Sequence, residues 1–488
     1  MKKIKIGSLL IIIAIAVVSA VLIWMAGLRS LWFDDLTQIH MTAKGLSVSE
    51  VLSRNLIVDN NPPLSHIIHT LWQKVAPYGE RWIKLPNVVF CILGTLVCAK
   101  LLALGHSKRC AIVTLFILLA SRGLIVLAGY TVRAYGLLFL NVSLLLYEYF
   151  VIRFKKSDDV RHRVSFGLMI ALSAYTHYFS ILVCFSLFIW DLFLFVKKDI
   201  KANFILPYIL GGVLFLPWLG YALPTMLRRA GTFWPENPTP VIVVNTLFTL
   251  LGNGKSTFLL FVFCIIVILT VLICRKKDII KVELCKDNWE TMPCVLLSTV
   301  VITMGIVYVY SAYIATNGSL WVPRYFVSII PCLFLLMGIG VEYASKYVES
   351  KGVPSKIVNV FLFFMCFLMD VRSLRSIYDG EKILYSVPYR EAFDYIMAQN
   401  DIYDDDVALY ISDYYMPDGW RYYITHAGTR PDKEVMESAG KTEDFAHYRV
   451  VYYAEFSKEI NMPDLLETDF ECVYNNEELN VQRWVRVE

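Results

Sequence analysis

Stretches of about twenty consecutive apolar residues recur along this chain, and a helix needs that length to cross the hydrocarbon core of a bilayer. Only a helix or a closed barrel satisfies its backbone hydrogen bonds there. The runs fall at 4–26, 82–104, 108–121, 133–152, 164–177, 179–196, 203–222, 256–274, 293–315, 324–345 and 356–371, which gives about eleven spans. The third and fifth are short. The composition agrees: 57% of residues are hydrophobic and 18% charged, where a soluble chain is about a quarter charged. The chain is expected to be a polytopic α-helical membrane protein, with membrane lipids as partners and no nucleic acid. Its first apolar stretch is long for a signal peptide and is read as a retained span.

Basic residues orient the spans. Lys2, Lys3 and Lys5, then Lys108 and Arg109, Arg153, Lys155, Lys156, Arg161 and Arg163 mark alternate connections as cytoplasmic. Lys197, Lys198 and Lys201, Arg275, Lys276 and Lys277, then Lys346, Lys351 and Lys356 continue the pattern. The N-terminus is therefore expected in the cytoplasm of a cell or inner-membrane protein. With an odd span count, the C-terminal part is expected outside.

The first outside connection, 27–81, is too long for a plain loop. In "SVSEVLSRNLIVD", Val48, Val51, Leu52 and Leu56 recur at helical spacing behind a Ser N-cap candidate. In "NNPPLSHIIHTLWQKV", Pro63 suits a first helical turn, and Leu64, Ile67, Ile68, Leu71, Trp72 and Val75 form an apolar stripe. Both helices suit the membrane interface. From about 378 the pattern becomes that of a soluble domain. "VPYREAFDYIMAQN" and "DGWRYYITHAG" read as helices, "DDVALYISDYY" and "YRVVYYAEF" as strands, and "FECVYNN" with "VQRWVRV" as a final hairpin. The expected division is a membrane domain, 1–377, and a small α/β domain, 378–488. Residues 378–488 hold 24 acidic against 10 basic side chains, so an acidic tail follows a basic membrane part.

Ionisable residues inside spans ordinarily mark function. Here Glu148, Asp191, Glu342 and Asp370 lie near span ends, where snorkelling costs little, and no span midpoint carries a charge. That argues against an ion-coupled transporter. Polar groups collect instead on the expected outer side: Asp34, Asp35, Asn60, Asn61, His66, His69, Arg81, Lys84, Arg122, Arg133, Tyr135, His177, Arg228, Arg229, Arg324 and Tyr325. Guanidinium groups suit phosphate, and a carboxylate beside them suits general-base work. Neither a zinc site nor a disulfide framework is indicated, because the eleven cysteines lie mostly in apolar runs without a CxxC pair. "GNGKST" at 252–257 lacks the earlier glycine of a P-loop, since position 249 is Thr. "NGS" at 317–319 fits a glycosylation sequon.

The order of these segments resembles the GT-C membrane glycosyltransferases, especially the bacterial RgtA/B/C/D-like branch. Relatives of that branch include the protein O-mannosyltransferases and the lipid A aminoarabinose transferase. "WFDDLTQIH" resembles the family's Asp-Glu pair, with Asp34 in the catalytic place and Asp35 replacing the usual glutamate. "NNPPLSHIIHTLW" resembles the "HPPL" segment, with Asn61 in the His place. "ERWIKLPNVVF" puts Lys84 in an arginine place, and "GYTVRAYGL" supplies Arg133 and Tyr135. "SAYTHYFSILV" supplies His177 and "VPRYFVSIIP" supplies Arg324 and Tyr325. The similarity runs over about residues 4–425.

The resemblance implies a GT-C fold and transfer of a sugar, with inversion, from a polyprenyl-phosphate donor. The acceptor hydroxyl would belong to a glycan, lipid or protein outside the cell. Asp34 would be the base, with Asp35 beside it. Arg133, Lys84 and Arg324 would meet the donor phosphate, and Asn61, His66, Arg81, Tyr135, His177 and Tyr325 would line the cleft. The sequence supports no cofactor and gives no basis for carrying over metal dependence, because Asn61 replaces the family's histidine. Three rivals stand beside this reading. An O-antigen ligase or polymerase would centre on a large late outside loop. A transporter or flippase of lipid-linked sugars would need midplane polar groups and broken helices. A receptor or scaffold that has lost catalysis is hinted at only by the altered motif positions.

Overall fold

A computed structural model describes residues 6–43, 45–58, 61–154, 159–229, 235, 237–276, 289–315, 318–380, 388–412, 422–423, 435–437, 447–455 and 464–487. In chain order its helices are α1 Ile6–Met25, α2 Phe33–Met41, α3 Val48–Val58, α4 Leu64–Gln73, α5 Glu80–Gly105 and α6 Lys108–Leu119. A single turn, α7 Arg122–Leu124, runs into a π-helical turn, Ile125–Gly129. There follow α8 Tyr135–Phe154, α9 Val160–Ala174, α10 Phe179–Val196, α11 Leu206–Arg229, α12 Pro240–Leu250, α13 Lys255–Lys276 and α14 Met292–Val309. After α15 Ile330–Ser350 and α16 Ser355–Asp379 come α17 Tyr389–Met397, strands β1 Val407–Ser412, β2 Val435–Glu437 and β3 Val450–Glu455, α18 Asp464–Asp469, β4 Phe470–Asn476 and β5 Val481–Arg486.

Among the described residues eight helices are long and apolar enough to span a membrane, or nine if the bent pair α6 and Arg122–Gly129 is one span. The expected run 164–177 corresponds to α9, which has only fifteen residues. The 108–121 run is broken by 48° after Leu119. A broken helix is thus present where the sequence gave no indication of one. Its freed backbone is satisfied locally: Ser373 Oγ donates to Ala120 O and accepts from Arg122 N at 3.0 Å. Ser121 Oγ caps Leu124 N at 3.5 Å.

By compactness the chain divides into two units. The first comprises Met1–Ile23, Ser47–Ile68 and Lys84–Glu381. The second comprises Trp24–Leu46, His69–Ile83 and Lys382–Glu488. In the first unit α15 is the central helix, with 94% of its most apolar window buried, and it packs on α13, α6 and α14. Its first twelve residues, Ile330–Val341, are apolar on every side, which suits such a centre. α9 packs between α8 and α11. The capping expected at Ser47 is present in both directions. Glu50 N donates to Ser47 Oγ at 3.3 Å, and Ser47 N donates to Glu50 Oε2 at 2.7 Å.

Two of the span-end carboxylates do not snorkel. Asp191 is 2% exposed, 3.4 Å from Arg153 and bonded by the Tyr149 and Tyr208 hydroxyls. Glu342 is 1% exposed and 2.9 Å from Arg109. A charge removed from solvent to this extent needs a partner, and basic side chains of neighbouring helices supply one.

The second unit is built on a five-stranded sheet in the order β2-β1-β3-β5-β4. β1 is parallel to β2 and β3, while β3–β5 and β5–β4 are antiparallel. One face carries Ala408, Tyr410, Val451, Tyr453, Phe470 and Trp484, packed with Leu466. The expected strands and final hairpin are all present. The expected helix "DGWRYYITHAG" lies outside the described residues apart from Tyr422 and Tyr423, as do Asn60 and Asn317 of the sequon.

Candidate active site

In the first unit three of the sequence motifs meet. Tyr135 opens α8, His177 sits in the break between α9 and α10, and Tyr325 lies in a 3₁₀ turn, Pro323–Ile329, before α15. Ring centres are 5.7 Å apart for Tyr135–His177, 5.3 Å for His177–Tyr325 and 6.4 Å for Tyr135–Tyr325. The Arg324 guanidinium carbon stands 6.0 Å from the Tyr325 ring centre, within cation–π reach. His177 Nδ1 accepts from Phe179 N at 3.3 Å, so the neutral ring carries its proton on Nε2.

Each member is held by a polar contact from a neighbouring helix. Asn87 Nδ2, one turn after Lys84 on α5, donates to Thr131 O at 2.5 Å and to Arg133 O at 2.7 Å. This fixes the backbone carrying Arg133 just as it enters α8. Gly136 makes the approach possible, because a Cβ there would stand 2.9 Å from the Asn87 backbone. Asn141, further along α8, donates to Thr176 Oγ1 at 2.8 Å and so secures the His177 break. Trp321 Nε1 donates to Thr246 of α12 at 2.9 Å, and Trp321 packs on Phe326 at 4.7 Å, which seats the Arg324–Tyr325 turn. Lys84 and Arg133 are 4% and 8% exposed, and Arg122 of α7 is buried in the same unit.

The stretch from Asn61 to Leu64 reaches the same region. Leu64 N donates to Tyr175 O at 3.0 Å, two residues before His177. Asn55 Nδ2 donates to Asn61 O at 2.6 Å, and His66 is buried on α4. Arg228 is exposed and bonds Thr225 of its own helix, so it does not join the group.

Asp34, Asp35 and Arg81 belong to the second unit. Both aspartates lie in the first turn of α2, where unsatisfied amides favour carboxylates. They are 9% and 1% exposed. Adjacent helical positions diverge by about 100°, so the two carboxylates leave on different faces. Gln73 Nε2 bonds Thr42 Oγ1 at the other end of α2. Arg81 Nη2 donates to Trp24 O at 3.4 Å. Among the described residues no three His, Cys, Asp or Glu side chains form a group that would hold a metal ion.

Sequence reasoning missed the supporting shell: Asn87, Asn141, Thr176, Thr246 and α12. Its one sequence trace is an isolated amide in an apolar helix, which must find a bond when buried.

Comparison with known proteins identifies the fold. No described protein family matches the sequence, and no curated protein matches it. The crystal structure of ArnT from Cupriavidus metallidurans in the apo state matches with a TM-score of 0.60 at 13% identity, over 99% of each chain. The structure of the same protein bound to undecaprenyl phosphate matches with a TM-score of 0.55 at 13% identity, over 98% of each. The chain has the GT-C fold, a polytopic helical membrane domain followed by a small α/β domain.

Proposed function

We propose that this protein is an inverting glycosyltransferase. It would move a sugar from a polyprenyl-phosphate donor to an acceptor hydroxyl on the extracytoplasmic face of the plasma or inner membrane. The observation that carries the reading is the gathering of Tyr135, His177, Tyr325 and Arg324 from three motifs far apart in sequence. That gathering occurs within a fold shared end to end with a protein crystallised with undecaprenyl phosphate.

In the displacement, the acceptor oxygen attacks the anomeric carbon. The bond from that carbon to the phosphate oxygen breaks, and polyprenyl phosphate leaves. The acceptor proton passes to the Asp34 carboxylate. Arg324, Arg133 and Lys84 are assigned to the growing charge of the leaving phosphate, where fixed cations act most strongly. Tyr135, His177 and Tyr325 are assigned to the sugar and the first isoprene units, since aromatic faces suit both. The transporter reading gains the broken helix at Leu119–Arg122, but carbonyl and amide groups at the break are taken up by Ser121 and Ser373.

The test is transfer in reconstituted vesicles from a panel of polyprenyl-phosphate sugars, with nucleotide sugars as the contrast. Transfer from at least one lipid-linked sugar and none from the nucleotide sugars is expected. Vesicle-crossing of donor without transfer would replace this reading by the transporter.

A further inference from the structure

Within the second unit, a buried carboxylate ties the C-terminal part of the chain to the segment that precedes Asp34. Glu80 is 6% exposed. Its Oε1 lies 3.0 Å from Arg390 Nη1 and accepts from the Tyr423 hydroxyl at 3.2 Å. Both partners also reach the backbone just before α2. Arg390 donates to Gly27 O at 3.2 Å and to Leu28 O at 3.3 Å. The Tyr423 oxygen accepts from Leu31 N at 2.6 Å, three residues before Asp34.

We propose that Glu80, Arg390 and Tyr423 form a positioning lock that holds residues 27–31 in place. Through them it sets the direction in which Asp34 leaves α2. The proposal rests on the transferase reading above and gives the C-terminal part of the chain a task within it.

The arrangement is economical in donors and acceptors. Arg390 spends its fork on two carbonyls and two carboxylates, Glu80 and Glu391, the latter at 2.6 Å. Glu80 and Glu391 hold the guanidinium pKa above its ordinary value despite the opposing effect of burial. Burial, then the Glu80 charge, pushes the Tyr423 phenol well above its ordinary pKa, so it stays a donor. The Tyr423 ring stacks on Phe393 of α17 at 6.4 Å, so the hydroxyl is aimed by a hydrophobic contact as well. Gly27 allows the close fit, because a Cβ there would press on Arg81 at 3.1 Å. Gly79 N donates to the Tyr422 hydroxyl at 3.2 Å, which registers the neighbouring turn on the same tyrosine pair. None of the three lock residues bears on donor phosphate, so their loss should reach the chemical step and spare donor affinity.

The experiment compares Tyr423→Phe, Arg390→Lys and Arg390→Gln in the full-length protein, with Arg449→Gln as the control. Arg449 pairs with Asp406 on an exposed part of the same domain. Tyr423→Phe keeps the ring on Phe393 and removes only the hydroxyl. The expected result is a kcat lowered about tenfold or more, with KM for donor within about threefold. Arg390→Lys should fall between wild type and Arg390→Gln, because one amine keeps the Glu80 pair and loses the fork.

In an Asp34→Asn background the lock substitutions should add little further loss, as expected for residues acting through Asp34. Amide exchange is the readout that needs no activity: residues 27–36 should exchange faster in Tyr423→Phe while β1 and β3 stay protected. Unchanged exchange at 27–36 would overturn the lock whatever the activity. Faster exchange with unchanged kcat in an active enzyme would overturn its positioning role. A wild-type protein that transfers nothing would remove the transferase reading, leaving the exchange result to decide the lock as an anchor.

Discussion

At the residue scale, the first unit buries Lys84 and Arg133 and sets Arg324 against the face of Tyr325. Removing one should be felt at donor phosphate. Arg133→Ala and Arg324→Ala are each expected to weaken donor binding about tenfold to hundredfold, the range for a lost charge-assisted hydrogen bond. Isothermal titration with the polyprenyl phosphate checks this, and unchanged affinity in both would remove the phosphate role. The residues that carry charge or a ring were legible in the sequence because they break apolar patterns on one expected face. Their supports were not. Asn87 and Thr246 act through backbone carbonyls and an indole from segments about 45 and 75 residues away, and such partners appear only when the helices are assembled. Glu80, Arg390 and Tyr423 were unread for the same reason, since each is an ordinary polar residue until Leu31 and Gly27 are seen beside them.

At the element scale, α5 and α8 meet at a glycine. Gly136→Ala places a methyl against the Asn87 backbone and forces α8 outward. It should cost about 1–3 kcal/mol, as overpacking does. It should also lower activity, because Arg133 and Tyr135 move with the helix; a thermal midpoint and a transfer rate within error of wild type would contradict this. Helix type and order were readable from period and run length: eight of the expected spans fall on long apolar helices, and the run 108–121 falls on the bent pair. The failures have physical causes. α9 needs only fifteen residues because its C-terminal end turns into the His177 break. α12 is a short, mostly apolar helix of eleven residues that carries Thr246 to Trp321.

The sheet offers a pH test. Asp401 accepts from Tyr452 and Arg483, and those bonds outweigh burial and hold its carboxyl below its ordinary value of 3.8. A depressed folded pKa stabilises fully above the unfolded value and loses its effect as pH falls through the folded one. Asp401→Asn should therefore destabilise the sheet by about 1 kcal/mol at neutral pH, after allowance for its partial exposure. The difference should fade as the pH falls below the ordinary carboxylate range and through the depressed pKa of the folded state. Amide exchange in β3 across that range measures it, and a difference independent of pH would contradict the assignment.

At the scale of the whole molecule, the basic connections predict a cytoplasmic N-terminus and an extracytoplasmic C-terminal part. Cys472 on β4 is exposed. A membrane-impermeant thiol reagent added outside intact cells should label it, and labelling from the cytoplasmic side alone would reverse the orientation.

The most direct measurement is the single-turnover transfer rate of Asp34→Asn with saturating lipid-linked sugar. Asparagine keeps the shape and removes the proton acceptor. The rate should fall about 10²–10⁴-fold, the usual contribution of a positioned base, with donor affinity unchanged. A rate equal to wild type would contradict the account at its centre.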